Sequence, residues 1–151
     1  MASCPTWNWF LEAGASGAPL TVGYNFRVGD FTILLVEDDF DVREALAEAL
    51  RDEGYIVDCA VDGEQALDYL HSAGPPGLIL LDLMMPRMSG SEFRMLQKVD
   101  PRLSDLPVVL LTADARMEEK ARALETDGAI RKPIDLDELL ATIARFNKTA
   151  S

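Results

Sequence analysis

The run Leu78-Ile79-Leu80-Leu81 offers no polar side chain to water, and it stops abruptly on Asp82. A strand with apolar side chains on both sides has to be covered on both sides, and that is the situation of a parallel sheet with helices above and below it. Phe31-Thr32-Ile33-Leu34-Leu35-Val36 and Val108-Val109-Leu110-Leu111 have the same character. Parallel strands cannot be joined by tight hairpins, so the segments between these runs must contain crossover helices.

The intervening segments have helical periodicity. Asp41 to Asp52 sets Val42, Ala45, Leu46, Ala49 and Leu50 on one stripe, with Gly54 as the stop. Tyr55 to Ala60 reads as a second strand, followed by a helix from Gly63 to His71 that turns Ala66, Leu67 and Leu70 inward. Pro75-Pro76-Gly77 breaks the chain before the Leu78 run. Ser89 with Glu92 forms a capping-box start for a helix that buries Phe93 and Leu96. A fourth helix is expected over Arg116 to Thr126, with Met117, Ala121 and Leu124 at helical spacing, and a short fifth strand over Ala129 to Arg131. Asp135 and Glu138 cap a last helix carrying Leu136, Leu139, Leu140, Ile143 and Phe146. Strands alternating with helices in this way predict an α/β fold with a five-stranded parallel sheet and helices on both faces.

Residues 1–30 lack this regularity. They hold Trp7, Trp9 and Phe10, then a stretch rich in Gly, Ala, Ser and Pro, and are expected to be a flexible extension. The folded domain is expected over residues 31–147, with a tail at 148–151. A net charge of −12 argues against a nucleic-acid surface, since phosphate is repelled rather than gathered. No apolar stretch reaches the roughly 18–20 residues needed to cross a bilayer, and the N-terminus lacks the pattern of a signal peptide. A cytoplasmic protein is therefore expected, and its two cysteines, Cys4 and Cys59, read as free thiols, Cys59 within a buried strand. His71, the single histidine, reads as solvated and idle.

Chemistry gathers at the strand ends. Strand one runs into Glu37-Asp38-Asp39, strand three into Asp82, strand four into Thr112, and strand five into Lys132-Pro133. In open parallel sheets, ligand sites form beyond the carboxyl ends of the strands where the winding reverses. An order of 2-1-3-4-5 would bring Glu37, Asp38 and Asp82 to that point, flanked by Thr112 and Lys132. Carboxylates about 4 Å apart repel by up to about 4 kcal/mol per pair at an effective dielectric of about 20. Either their pKa values rise or a divalent cation neutralises them, and oxygen donors without nearby His or Cys suit Mg2+. A carboxylate can serve as nucleophile for a phosphoryl group, with a metal, an ammonium and a hydroxyl offsetting charge on the transferred oxygens. Asp39, just past the pair, reads as a helix start, and Asp114 as either a helix cap or a residue tuning water access to the site.

Together these residues resemble the receiver domain of two-component response regulators over roughly Phe31 to Phe146. Val36-Glu37-Asp38 is similar to the family's acidic pair, Leu81-Asp82 with Met85-Pro86 and Ser89-Gly90 to its phospho-acceptor segment, Leu111-Thr112-Ala113 to its switch threonine, and Lys132-Pro133 to its lysine with a cis proline bond. The resemblance implies a flavodoxin-like doubly wound domain in which Asp82 is phospho-acceptor and Mg2+ ligand. It further implies Asp38 as a direct Mg2+ ligand, Glu37 acting through water, and the Met84 backbone carbonyl completing the protein ligands. The implied partners are a sensor histidine kinase or histidine phosphotransfer protein, and a downstream protein bound through the helix 4–strand 5–helix 5 face. One position departs from the pattern. The family carries Tyr or Phe three residues before the lysine, where this chain has Ala129.

Two other functions compete with a phospho-accepting receiver. One is a Mg2+-dependent phosphatase with an aspartyl nucleophile, but such enzymes need an acid two residues after the nucleophile, where Met84 stands. The other is a receiver-like module that binds partners without being phosphorylated, against which the complete acidic set argues. The expectation is thus a signalling receiver that catalyses only its own phosphorylation and dephosphorylation. With the chain ending soon after Phe146, it is expected to be of the stand-alone type.

Overall fold

A computed structural model describes residues 31–150; the expected extension at 1–30 lies outside them, as does Ser151. In chain order the elements are β1 (Thr32–Val36), α1 (Phe40–Asp52), β2 (Ile56–Ala60), α2 (Gly63–Ser72), β3 (Leu78–Asp82), α3 (Gly90–Val99), β4 (Val108–Thr112), α4 (Met117–Ala123), β5 (Gly128–Arg131) and α5 (Leu136–Ala150). The sheet is parallel throughout, in the order β2-β1-β3-β4-β5. Neighbouring strands align Val36 with Leu81, Asp82 with Leu111 and Thr112 with Arg131.

The central strands β1, β3 and β4 are buried along their whole length, as apolar runs without alternation require. Side-chain alternation sorts them into two cores. Ile33, Leu35, Leu78, Leu80, Val109 and Leu111 pack with Leu46 and Leu50 of α1 and Leu139 and Ile143 of α5. Leu34, Val36, Ile79, Leu81, Val108 and Leu110 pack with Ala66 and Leu70 of α2 and Phe93 of α3, with Ala121 and Leu124 at the margin. One sheet thus carries helices on both faces, as expected.

Several details correct the sequence reading. On α1 the buried residues are Arg43, Leu46, Ala47 and Leu50, while Ala45 is exposed. On α3 Leu96 is 45% exposed and Gln97 is fully buried in the place expected of an apolar residue. Gln97 is satisfied there because its amide donates to the carbonyls of Leu103 and Leu106 and accepts from Arg94. Leu136, at the start of α5, is 40% exposed. The fourth helix is shorter than its periodicity suggests: it has no side-chain cap at Arg116, and at Glu125 the backbone turns left-handed with φ of 52°. Cys59 is buried in β2 as expected, yet it is disulfide-bonded rather than a free thiol; Cys4 lies outside the described residues. His71 is half-exposed and lies 3.2 Å from Asp100 rather than standing alone.

The helix starts do follow the sequence. Asp39 accepts from Val42 N–H, Ser89 from Glu92 N–H, and Asp135 from the N–H groups of Asp137 and Glu138. Gly90 opens α3 directly against the backbone of Asp82 and Leu83, and its N–H donates to the Leu83 carbonyl at 3.1 Å. A Cβ at this position would overlap Asp82 O and lie 2.8 Å from Leu83 Cα, so only glycine lets the helix approach the end of β3. Gly90→Ala is expected to lower unfolding free energy by about 1–3 kcal/mol, the usual cost of overpacking, as read by urea denaturation. It should also shift the backbone resonances of Asp82 and Leu83.

Candidate functional site

The carboxyl ends of β1, β3, β4 and β5 meet at one edge of the sheet. Glu37 leaves β1 still held by its N–H to the Ala60 carbonyl of β2, at 3.0 Å. Its side chain is fully buried, Asp82 is only 4% exposed, and Asp38 opens to solvent. One oxygen from each of Glu37, Asp38 and Asp82 falls within a 4.8 Å group. Lys132 Nζ stands between the two buried acids, 2.6 Å from Glu37 Oε1 and 3.4 Å from Asp82 Oδ1.

Backbone contacts fix these groups. The Lys132 N–H donates to the Thr112 carbonyl at 2.9 Å, and the following Lys132–Pro133 bond is cis, as the family resemblance implies. Thr112 is buried at the end of β4, and its Oγ accepts from Asp114 N–H at 3.1 Å. Met84 directs its N–H at Asp82 Oδ1 from 3.3 Å, while its side chain is 74% exposed. Asp114 does more than cap: its carboxylate pairs with Lys120 at 2.6 Å, and Arg131 donates to its carbonyl at 3.1 Å. Ala129 lies half-buried beside the second core, where a small side chain leaves no ring to relocate.

Some supporting residues carry no obvious signal in the sequence. Arg87 adopts a left-handed backbone with φ of 63° in the loop after Asp82, and its Nε bonds Asp62 Oδ2 at 2.8 Å. Asp62 is buried at the start of α2, so the pair ties that loop to a neighbouring helix. Arg43 is also buried, and its Nη1 donates to the carbonyls of Glu37 and Asp38 at 3.0 and 3.2 Å. An arginine on the core-facing stripe of the helix that follows an acidic pair is the only local hint of that contact.

The electrostatics are those of crowded acids. Burial, reinforced by the neighbouring Asp82, raises the Glu37 pKa despite the Lys132 hydrogen bond. Burial and then Glu37 likewise raise that of Asp38. Burial pulls the Lys132 ammonium down, but the Glu37 hydrogen bond and the charge of Asp82 outweigh it and hold the pKa above the usual lysine value. Carboxylate oxygens alone, close together and short of positive charge, fit a hard divalent cation that prefers oxygen donors.

A model of the response regulator receiver domain matches residues 33–144. The chain belongs to that family. The receiver is 39% identical over 121 residues to the transcriptional regulatory protein DltR of Streptococcus agalactiae, covering 79% of this chain and 53% of that protein. It is 43% identical over 112 residues to the response regulator MprA of Mycobacterium avium, covering 72% of this chain and 47% of that one. The chain therefore spans about half the length of the curated relatives it matches. Among solved structures, the chemotaxis response regulator CheY4 of Vibrio cholerae superposes with a TM-score of 0.71 at 30% identity, covering 78% of this chain and 98% of that one. A response regulator receiver protein from Pseudomonas putida gives 0.71 at 29%, covering 77% and 97%. The fold and the family are those expected. Receiver domains accept phosphate from histidine kinases, typically with Mg2+. No helix among the described residues is long and apolar enough to cross a membrane.

The raised Glu37 pKa has a consequence for stability. A carboxyl whose folded value exceeds its unfolded value stabilises the fold below the unfolded value, and that contribution is lost as pH rises through the folded value. With chelator present, the melting temperature of the unsubstituted receiver should therefore fall relative to Glu37→Gln as pH is raised from the ordinary glutamate value of 4.5. Calorimetric scans of both proteins across that range, with and without Mg2+, check this; cation binding should close the gap.

Proposed function

We propose that this receiver takes a phosphoryl group onto Asp82 from the phosphohistidine of a sensor histidine kinase or a histidine phosphotransfer protein, and that the modified state changes its affinity for a downstream protein. The observation that carries the reading is the single ammonium of Lys132 bridging Glu37 and Asp82 at the carboxyl edge of the sheet. In the transfer, an Asp82 carboxylate oxygen bonds to phosphorus as the phosphorus–nitrogen bond breaks. The electron pair of that bond leaves on the imidazole nitrogen, which takes a proton from water. The Lys132 ammonium offsets charge on the transferred oxygens, in a pocket where burial strengthens the interaction. Thr112 Oγ accepts from Asp114 N–H and keeps its own proton to donate to a phosphoryl oxygen. Asp38, Asp82 and the Met84 carbonyl would hold Mg2+, with Glu37 acting through water, and the ion would supply further neutralisation of that charge when bound.

The domain acts as a switch rather than on foreign substrates. Met84 stands two residues after Asp82, so no side-chain acid is present there to protonate a leaving group. The downstream partner binds the face formed by α4, β5 and α5, and the protein works in the cytoplasm.

Incubation with acetyl phosphate and Mg2+ should add the mass of one phosphoryl group to the protein, lost on treatment with base and absent in Asp82→Asn. Lys132→Met should slow the modification about a hundredfold, the scale of removing one charge-stabilising donor. Rapid turnover of acetyl phosphate by the unsubstituted protein would instead point to a phosphatase, and unchanged modification of Asp82→Asn would overturn the assignment of the acceptor.

A further inference from the structure

Arg43 is a buried cation that the phosphoryl-transfer scheme does not use. It projects from the first turns of α1 and is 6% exposed. Its Nη1 donates both to the Glu37 carbonyl, at 3.0 Å, and to the Asp38 carbonyl, at 3.2 Å. These are the backbone groups of two successive acids, and Asp39, next in the chain, directs its N–H at Glu37 Oε2 from 3.3 Å. The guanidinium also lies 5.5 Å from the centre of the Phe40 ring. Arg43 Nε is buried without a hydrogen-bond partner. A buried donor left unmatched is unfavourable, so the rest of the side chain must be held firmly enough to offset it. The group is spent on one stretch of backbone, the turn by which β1 presents Glu37 and Asp38.

We infer that Arg43 is a positioning residue for the divalent-cation site, setting the Glu37-Asp38 turn so that both carboxylates reach the volume they share with Asp82. The inference rests on the proposed use of that site for Mg2+. It deepens that reading by naming the residue that preorganises two of the ligands. Arg43 touches neither the transferred group nor the carboxylates; it acts through two carbonyls. A partner of this kind, one step behind the ligands, typically governs metal affinity by a factor of about 10–100.

Charge and positioning predict opposite signs, which makes the idea testable. A guanidinium beside a cation site opposes the cation, so by charge alone a neutral replacement should tighten Mg2+ binding. If Arg43 sets the turn, the same replacement should weaken it. The experiment is a calorimetric titration of the full chain with Mg2+, comparing the unsubstituted protein with Arg43→Met and Arg43→Gln, each first shown by circular dichroism to be folded. Arg43→Met keeps most of the stem volume without donors, and Arg43→Gln carries a neutral amide on a shorter stem, so either folded variant suffices to read the sign. The dissociation constant is expected to rise about tenfold in each, with Arg43→Lys lying between them and the unsubstituted protein. Unchanged or tighter binding in a folded neutral variant overturns the inference while leaving the phosphoryl-transfer reading intact. Absence of Mg2+ binding by the unsubstituted protein overturns both.

Discussion

Glu37 and Asp82 are almost wholly removed from water, and one ammonium stands between them. Most features of the carboxyl edge follow from that arrangement. Burying a carboxylate is unfavourable unless it is paired and hydrogen-bonded, and Lys132 reaches both acids because β5 delivers it beside β4. One cation cannot match three acids, so charge is left over, and burial shows it as raised pKa values at Glu37 and Asp38. The site is therefore stable enough to fold and short of positive charge. A fold with no strand crossing at this edge could not bring residues 37, 82 and 132 together, since they lie far apart in the chain.

The parts of this architecture that were legible in the sequence are those dictated by complete burial. Runs such as Leu78–Leu81 allow no exposed face, so strand positions, parallel pairing and covering helices follow from them, and strand ends then locate the polar groups. What the sequence hid are polar residues serving as core. Arg43, Arg94 and Gln97 look like surface positions, yet all are buried, because each donates to backbone carbonyls of a neighbouring loop. Those partners lie in loops whose course no periodicity reports. Helical spacing ranks residues by hydropathy and so turns Leu96 inward, whereas Gln97 wins the place through hydrogen bonds.

Glycine and backbone geometry add a second layer that composition does not announce. Gly90 is needed where α3 meets the carbonyl of Asp82, and Arg87 takes a left-handed backbone while its side chain reaches buried Asp62. The loop after Asp82 is consequently closed by the Gly90 N–H to Leu83 and anchored midway by the Arg87–Asp62 pair.

Helix α4 contributes no buried side chain of its own. Beside the partial packing of Ala121 and Leu124 against the second core, it is held by polar contacts at its two ends, and these differ in kind. Beyond its C-terminal end, Arg94 donates to the carbonyls of Leu124 and Glu125 from within the protein, at 3.0 and 2.5 Å. Ahead of its N-terminal end, Asp114 is held by Lys120 and by Arg131 near the surface. Dissolved ions screen exposed pairs and leave buried ones almost untouched. The contact ahead of the helix is thus the salt-sensitive one of the two, and the contact beyond it is the one that salt reaches least.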